Sequence, residues 1–406
     1  MLIGRVITPD EFKGKRADVA ESLSRARRAP DGFTDHVFKT EHGVELGARV
    51  WPAPDVGSSG PRPFVTWTHG GAFVGGNHYA PLSWLVPGFH ALGYHVVSNA
   101  YRLCPQVDLE GSIEDCIDFV AWCRRELPTI IGQDRVDVDR YVITGESGGG
   151  FMVTNMATRL PAPAPRAVVD VYGLVDLFDP YNGLFEAVID QTAYPAWGSD
   201  TNEPLQQEFS EERLLAVIRG DRDPAHSISA ALFSGGQVLE GEAQIAAALK
   251  TPFPFTERVR LQAAIHAYLS SVWPMGGRHR SAYTALLHPE RFARGPGGGD
   301  DEQDVKVQAF ARTVSPMQII DTEPYTSGTK TYPPTAFLHG SADVAVPVSS
   351  TERFAAKLRA LGVETLVSIE PGEPHVFDQV YTNTSVPGWY DYIQPVIDFV
   401  ARHVEK

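Results

Sequence analysis

The pentapeptide Gly145-Glu146-Ser147-Gly148-Gly149 sits directly behind the β-branched run Tyr141-Val142-Ile143-Thr144 and directly ahead of a helical stretch. In this strand–turn–helix context a G-x-S-x-G pattern forces a sharp, strained turn that lifts the serine above the end of a sheet. The outer glycines permit such a turn because they carry no Cβ. A serine hydroxyl is a weak nucleophile at neutral pH, so the placement is useful only with a base and an anion-stabilising pocket nearby. Short Gly/Ser patterns also arise by chance, and the rest of the chain has to supply both partners.

Three further stretches do so. His69-Gly70-Gly71-Ala72-Phe73 follows the strand-like run Pro63-Phe64-Val65-Thr66-Trp67-Thr68. Its glycines can turn backbone N–H groups toward a carbonyl that gains negative charge, and one such donor is worth about 2.7–4 kcal/mol in a transition state. The alternative is an ordinary glycine turn between a strand and a helix. Phe337-Leu338-His339-Gly340-Ser341-Ala342-Asp343 places Asp343 just past a strand's carboxyl end, where ligands and reacting groups of open α/β sheets gather. Pro371-Gly372-Glu373-Pro374-His375 follows the strand Glu364–Ile369 and holds His375 by backbone rather than by core packing. Asp176, with Asp179 beside it, is an alternative acid, and Glu370 and Glu373 flank the histidine. His339 is expected to be structural, His69 to shape the glycine loop, and Glu146 to brace the turn. His95, His266, His279 and His288 have no local motif and are expected to be packed or solvated.

The order Ser147, Asp343, His375 is that of α/β-hydrolase triads and differs from the chymotrypsin and subtilisin orders. His69-Gly70-Gly71-Ala72-Phe73, Tyr101-Arg102-Leu103-Cys104-Pro105 and Gly145–Gly149 together resemble the hormone-sensitive-lipase-like, carboxylesterase branch of the α/β-hydrolase superfamily. The resemblance covers roughly residues 35–175 and 315–405. It implies Ser147, Asp343 and His375 as the catalytic residues. It also implies an oxyanion hole in the Gly70, Gly71, Ala72 loop, with the N–H groups of Gly71, Ala72 and Gly148 as donors. Two positions depart from the family pattern. Ala72 stands where a third glycine is usual, which narrows the backbone angles open to the loop, and Gly148 stands where alanine is usual. N–H groups survive both changes.

Alternating strands and helices with short connections indicate an α/β fold, with a mostly parallel sheet covered by helices on both faces. Strands are expected at Val37–Thr40, Val44–Trp51 and His95–Ala100, and helices at Pro81–Leu92, Ser112–Leu127 (ended by Pro128) and Phe151–Ala157. Near the end, Ser349 and Glu352 suggest a capping box for a helix over Thr351–Leu361, and a last helix spans Trp389–Val404. Ser147 and Asp343 lie much farther apart than two βα units of roughly 30–40 residues require. The surplus at 178–314 carries helical stretches at Glu208–Ile218, Gly241–Leu249 and Glu257–Val272, then the break Gly295–Asp301. It reads as a large helical cap inserted into the core, rich in aromatic residues such as Phe178, Tyr181, Phe185, Tyr194, Trp197, Phe233, Tyr268 and Trp273. The loop Gly297–Asp304 is expected to be mobile. The expected division is an arm or a contribution to the cap at 1–34, core at 35–177, cap at 178–314 and core again at 315–406. Arg25 to Arg28 form a basic cluster in this segment, which reads as a solvated flank, with a helix or arm over the substrate entrance as the alternative.

A formal net charge of −15 argues against a nucleic-acid partner. No run approaches the ~18–20 apolar residues of a membrane span, and the amino terminus lacks a secretory pattern, so a cytoplasmic location is expected. Cys104, Cys116 and Cys123 have no metal-ligand spacing and read as packed free thiols. No cofactor or metal is implied.

The reaction expected is acyl transfer on a small-molecule ester or lactone through a covalent Ser147 intermediate. The first reading is hydrolysis of a small to medium apolar ester. The second is a biosynthetic step such as transacylation, cyclisation or elimination on a natural product, suggested by the size of the insert. The third is a non-catalytic small-molecule receptor, against which the full set of nucleophile, base, acid and glycine loop speaks.

Overall fold

A computed structural model describes residues 27–54, 60–179, 203–232, 241–272, 301–343 and 345–405. Eight strands form one sheet: β1 Thr34–Glu41, β2 Val44–Trp51, β3 Arg62–Thr68, β4 His95–Asn99, β5 Val136–Glu146, β6 Ala167–Val171, β7 Thr335–Gly340 and β8 Thr365–Glu370. Their spatial order is β1-β2-β4-β3-β5-β6-β7-β8. The first two pairings are antiparallel and all those from β4 onward are parallel.

The central strands are buried on both faces, so they are apolar at nearly every position rather than at alternate ones. Successive residues feed opposite cores. Phe64, Tyr141, Ile143, Val168 and Phe337 face one cluster, while Val65, Val142, Val169, Ala336 and Leu338 face the other. Helices cover both. The second core is closed by α1 (Leu85–Ala91) through Leu85 and Phe89. The first is closed by α2 (Leu109–Ile131) through Ile113, Cys116, Val120 and Cys123, and by α3 (Gly148–Met156) through Phe151 and Met152. All three cysteines are free and buried, as packed thiols should be.

Between β6 and β7 the described residues form α4 (Glu203–Glu208), α5 (Glu211–Gly220), α6 (Glu242–Leu249), α7 (Glu257–Val272) and α8 (Asp301–Val314). After β7 comes α9 (Val348–Ala360), and after β8 a π-helical turn, Trp389–Ile393, runs into α10 (Gln394–Val404). The apolar stripe of α10, Val396, Ile397 and Val400, completes the second core.

Several local expectations need correction. Pro128 does not end α2, which continues to Ile131. Proline costs a helix its N–H and crowds the preceding turn. Here the helix runs past it for less than one further turn, and Gly132 N–H closes on Pro128 O at 3.1 Å. Helix α9 begins at Val348 behind Pro347, with no side-chain cap, so Ser349 lies inside the helix rather than at its cap. The stretch Glu208–Ile218 divides at Ser210, whose hydroxyl caps α5 by accepting from Arg213 N–H. Helix α1 starts at Leu85 rather than Pro81. Asp301–Asp304, expected in a mobile loop, opens α8, and the glycines before it lie outside the described residues. Tyr181, Phe185, Tyr194, Trp197, Phe233, Trp273, His279, His288 and residues 1–26 also lie outside them. Arg27 is not solvated: its side chain is 8% exposed and paired with Glu146.

Candidate active site

Strand β5 delivers the chain into the turn, and glycine is required at both ends of it. A Cβ on Gly145 would lie 2.1 Å from Gly149 O, and a Cβ on Gly149 would lie 2.1 Å from Thr68 O. Ser147 sits between them at φ 51°, ψ −119°, a conformation L-residues adopt only under strain of roughly 1–3 kcal/mol. Hydrogen bonds hold it there: Ser147 N–H donates to Val171 O at 2.9 Å, and Leu174 N–H donates to Ser147 O at 3.4 Å. Helix α3 starts immediately afterward, so its positive N-terminal end points toward the serine.

The loops after β7 and β8 bring the other two residues to the serine. His375 Nε2 lies 3.1 Å from Ser147 Oγ, and His375 Nδ1 lies 2.6 Å from Asp343 Oδ2. Asp343 Oδ1 accepts the N–H groups of Ala345 and Val346, both at 2.8 Å. Burial opposes ionisation of Asp343. The charge of His375 and hydrogen bonds from both His339 and His375 outweigh it and hold the carboxyl well below the usual carboxylate range. An ionised Asp343 can only accept, so His375 Nδ1 carries the proton and Nε2 is free to accept from the serine hydroxyl.

His339 lies at the end of β7 and does not reach the serine turn. Its Nε2 donates to Val346 O at 2.9 Å and to Asp343 Oδ2 at 3.1 Å, while Nδ1 accepts from Thr351 Oγ1 at 2.9 Å. It is a structural residue that orients Asp343. Asp176 is engaged elsewhere, accepting from Phe178 N–H at 2.9 Å and Gln318 Nε2 at 3.0 Å. Asp179 is engaged with Ser350 and Arg353. Glu370 takes the Tyr381 hydroxyl at 2.7 Å.

The glycine loop after β3 closes against the serine turn. Gly71 has φ 108°, and a Cβ there would collide with Gly75 O at 2.3 Å. Ala72 at φ 50° and Phe73 at φ 67° are both left-handed without being glycine. The loop therefore tolerates alanine at 72 only by holding it in the conformation that glycine prefers. The second departure sits opposite. A methyl at position 148 would stand 3.2 Å from Ala72 N, so Gly148 keeps that N–H clear. Among the described residues no acceptor takes the N–H groups of Gly71, Ala72 or Gly148.

His69 shapes this loop. Its Nδ1 donates to Gly70 O at 2.7 Å, and its ring stacks on Tyr101 with centroids 4.3 Å apart. Burial pushes its pKa down to about 4, so it stays neutral. Tyr101 OH returns a hydrogen bond to His69 O at 3.2 Å. Next in the chain, Arg102 forks onto Asp115 of α2 at 2.7 and 2.8 Å. The Tyr101–Pro105 stretch is thus a strut between α2 and the glycine loop. From the other side, α7 clasps both segments, with Gln262 Nε2 donating to Val74 O and Cys104 O at 2.7 Å. His266, one turn along, packs against Gly75. His95 is a packing residue, bridging Ala53 N–H and Arg135 O at 2.9 Å each.

Four residues at the back of the site lie outside the sequence motifs: Trp84, Tyr172 and Asp378, which carry no local signal, and Arg27, whose basic cluster points to solvent rather than to the site. Tyr172 packs edge-on against the His375 ring, centroids 4.6 Å apart, and its hydroxyl reaches Glu146 and Asp378. Only Asp378, three positions beyond His375, lies close to a motif in sequence.

Asp170, on β6, is fully buried against the backbones of Gly150 and Gly173. Burial pushes its pKa up to about 7. The unfolded chain gives up this proton near pH 3.9, so between there and pH 7 the unfolded state binds fewer protons and stability falls as pH rises. Asp170→Asn has no proton to lose. It is expected to gain over the parent by roughly 2–4 kcal/mol at pH 8 and progressively less toward pH 5. Urea unfolding at both pH values checks this, and a pH-independent difference would contradict it.

Among the described residues no group of His, Cys, Asp and Glu is arranged to hold a metal ion, and no helix is long and apolar enough to cross a membrane.

A family model described as alpha/beta hydrolase fold matches residues 65–221, and one described as prolyl oligopeptidase family matches residues 304–405. The first range holds Ser147 and the glycine loop, and the second holds Asp343 and His375. The non-reducing polyketide synthase ausA of Emericella nidulans is 25% identical over 382 residues, 91% of this chain and 14% of the synthase. The non-reducing polyketide synthase Preu6 of Preussia isomera is 24% identical over 373 residues, 90% of this chain and 14% of that protein. The chain thus spans about a seventh of the length of these relatives. Among solved structures, esterase B from Lactobacillus rhamnosis aligns with TM-score 0.50 and 15% identity, over 98% of this chain and 96% of that one. Sheet order, serine turn and these matches converge: the chain has the α/β-hydrolase fold.

Proposed function

We propose that the protein is a serine acyl-transfer enzyme that cleaves a carboxylic ester or thioester through an acyl-Ser147 intermediate. The observation that carries the proposal is the continuous relay from Ser147 Oγ through His375 to Asp343, at 3.1 and 2.6 Å. His375 Nε2 takes the serine proton as Oγ attacks the acyl carbon, and Asp343 fixes the tautomer and offsets the imidazolium charge. The tetrahedral oxyanion rests on the N–H groups of Gly71, Ala72 and Gly148, which have no acceptor among the described residues. His375 then protonates the leaving alcohol or thiol. In the second half His375 takes a proton from water as the water oxygen attacks the acyl carbon, then gives that proton to Ser147 Oγ as the bond from Oγ to the acyl carbon breaks. The helices between β6 and β7 act as a cap, supported by the contacts of α7 with the glycine loop.

The similarity to polyketide synthases across about nine-tenths of the chain favours a biosynthetic setting. In that reading the acyl group arrives as a polyketide thioester. The nucleophile of the second step is water, an external alcohol or a hydroxyl of the acyl chain itself, giving acid, ester or lactone.

Labelling with a fluorophosphonate, followed by peptide mapping, tests the shared chemistry, because only an activated serine reacts at a useful rate. The expected result is one modified peptide containing Ser147, with loss of turnover on a short-chain chromogenic ester. No label at Ser147 together with no turnover of esters or acyl thioesters would refute the proposal. Product analysis with an acyl thioester, with and without added alcohol, separates hydrolysis from transfer and cyclisation.

A further inference from the structure

Behind the Ser147 turn lies a buried polar cluster for which the acyl-transfer steps have no use. Arg27 makes a two-pronged ion pair with Glu146, and the two side chains are 8% and 3% exposed. The Tyr172 hydroxyl lies 2.9 Å from Glu146 Oε2 and 2.8 Å from Asp378 Oδ1. Asp378 Oδ2 accepts from Trp84 Nε1 at 2.8 Å. Glu146 is the chain neighbour of Ser147, and the Tyr172 ring packs on His375. The cluster therefore reaches the backbone of the nucleophile and the ring of the base without touching the reacting atoms.

Counting protons decides its charge state. A phenol has one proton, and an ionised carboxylate can only accept. With both carboxyls ionised, one of the two contacts at Tyr172 would set oxygen against oxygen with no proton between them. One carboxyl must be protonated and donate to the phenol oxygen. Glu146 is not the one, because both its oxygens face guanidinium N–H groups. Asp378 has the weaker claim on Arg27, since its other oxygen takes only the indole N–H. Burial also moves the Asp378 carboxyl upward from its usual range, against the opposing pull of the Arg27 charge.

We propose that Asp378 is a neutral, protonated acid at neutral pH, and that Arg27, Glu146, Tyr172 and Asp378 form a positioning network for Ser147 and His375. Protons run in one direction: Asp378 donates to Tyr172, Tyr172 donates to Glu146, and Glu146 also accepts from the Arg27 guanidinium beside the turn. Arg27 thereby makes the stretch ahead of β1 part of the active-site scaffold. The effect on turnover rests on the acyl-transfer reading above, whereas the proton assignment does not.

The assignment makes two substitutions of similar size behave differently. Asp378→Asn preserves the pattern, since its amide can donate to Tyr172 while its oxygen accepts from Trp84. Glu146→Gln breaks the pattern by setting an NH2 group against donors. Infrared difference spectra and steady-state kinetics on a chromogenic ester would be recorded for the parent, Asp378→Asn, Glu146→Gln, Arg27→Met and the charge-balanced Arg27→Met/Glu146→Gln. Asp170→Asn serves as control for the other buried acid. The parent is expected to show a protonated-carboxyl C=O band that vanishes in Asp378→Asn and survives in Asp170→Asn. Arg27→Met and Glu146→Gln are expected to lower kcat by about 10²-fold with little change in KM, the scale at which a displacement of roughly 1 Å acts. Asp378→Asn should cost about tenfold less than Glu146→Gln, and the double variant should exceed Arg27→Met in kcat by a similar factor. The proposal is overturned if no carboxyl band depends on Asp378, if Asp378→Asn is as damaging as Glu146→Gln, or if the double variant is no better than Arg27→Met. Should Arg27→Met not fold, the spectra and the comparison of Asp378→Asn with Glu146→Gln still decide the matter. A parent that neither turns over ester nor accepts label at Ser147 would end the acyl-transfer reading alone, leaving the infrared arm to decide the proton.

Discussion

Ser147→Ala is expected to reduce kcat by about 10⁴- to 10⁶-fold, the range seen when the nucleophile of a serine relay is removed. The reason is specific to the atom. Oγ is the only part of the side chain that meets His375, at 3.1 Å, and alanine keeps Cβ and therefore the packing against Gly70. Alanine is no less tolerant than serine of φ 51°, so the turn should survive. Its backbone bonds to Val171 and Leu174 do not involve the hydroxyl. Thermal unfolding should shift by little, and substrate should still bind. Measured kcat, KM and Tm on the purified variant check all three. Retention of parental kcat on esters and acyl thioesters would remove Ser147 from the mechanism.

Asp343→Asn is the second large effect, with an expected loss of about 10⁴-fold in kcat at neutral pH. In the parent the carboxylate receives four hydrogen bonds: two from backbone N–H groups, one from His339 and one from His375. An amide group has one oxygen and one NH2. The oxygen is claimed by the N–H groups of Ala345 and Val346, which turns NH2 toward the imidazoles. His375 must then present an unprotonated Nδ1 and carry its proton on Nε2, where it can no longer accept from Ser147. The depressed pKa of Asp343 also contributes stability. That contribution is present above the ordinary carboxylate pKa and is lost as pH falls below it, so the parent should lose more stability than the variant on acidification. The pH dependence of kcat and unfolding measured from neutral pH downward test the two halves separately. Parental kcat in Asp343→Asn would return the acid role to another residue.

The local patterns that proved legible share one property: each is enforced by atoms close together in the chain. Gly145 flanks Ser147, and its missing Cβ is required by Gly149 O at 2.1 Å within one strand–turn–helix. The glycine loop, the strand runs and the free cysteines are readable for similar reasons of local geometry or composition. The failures were also local in origin. Pro128 marks a stop by helix propensity, but the burial of Leu127 and Ile131 in the core carries α2 past it. Ser349 and Glu352 matched a capping pattern, yet the helix had already begun one residue earlier. Propensity yields to tertiary contacts when a buried face outweighs a single terminal hydrogen bond.

From the sequence alone came the α/β architecture, the nucleophile turn and three candidate residues spread over 147, 343 and 375. Only the tertiary structure decided that Asp343 rather than Asp176 faces His375, that His339 is a strut, and that Arg27 is buried behind Glu146. The physical reason is range. A turn or an alternating strand is settled by neighbours a few residues away. The partner of a buried charge is whatever the folded chain brings within hydrogen-bonding distance, 119 positions apart in the case of Arg27 and Glu146.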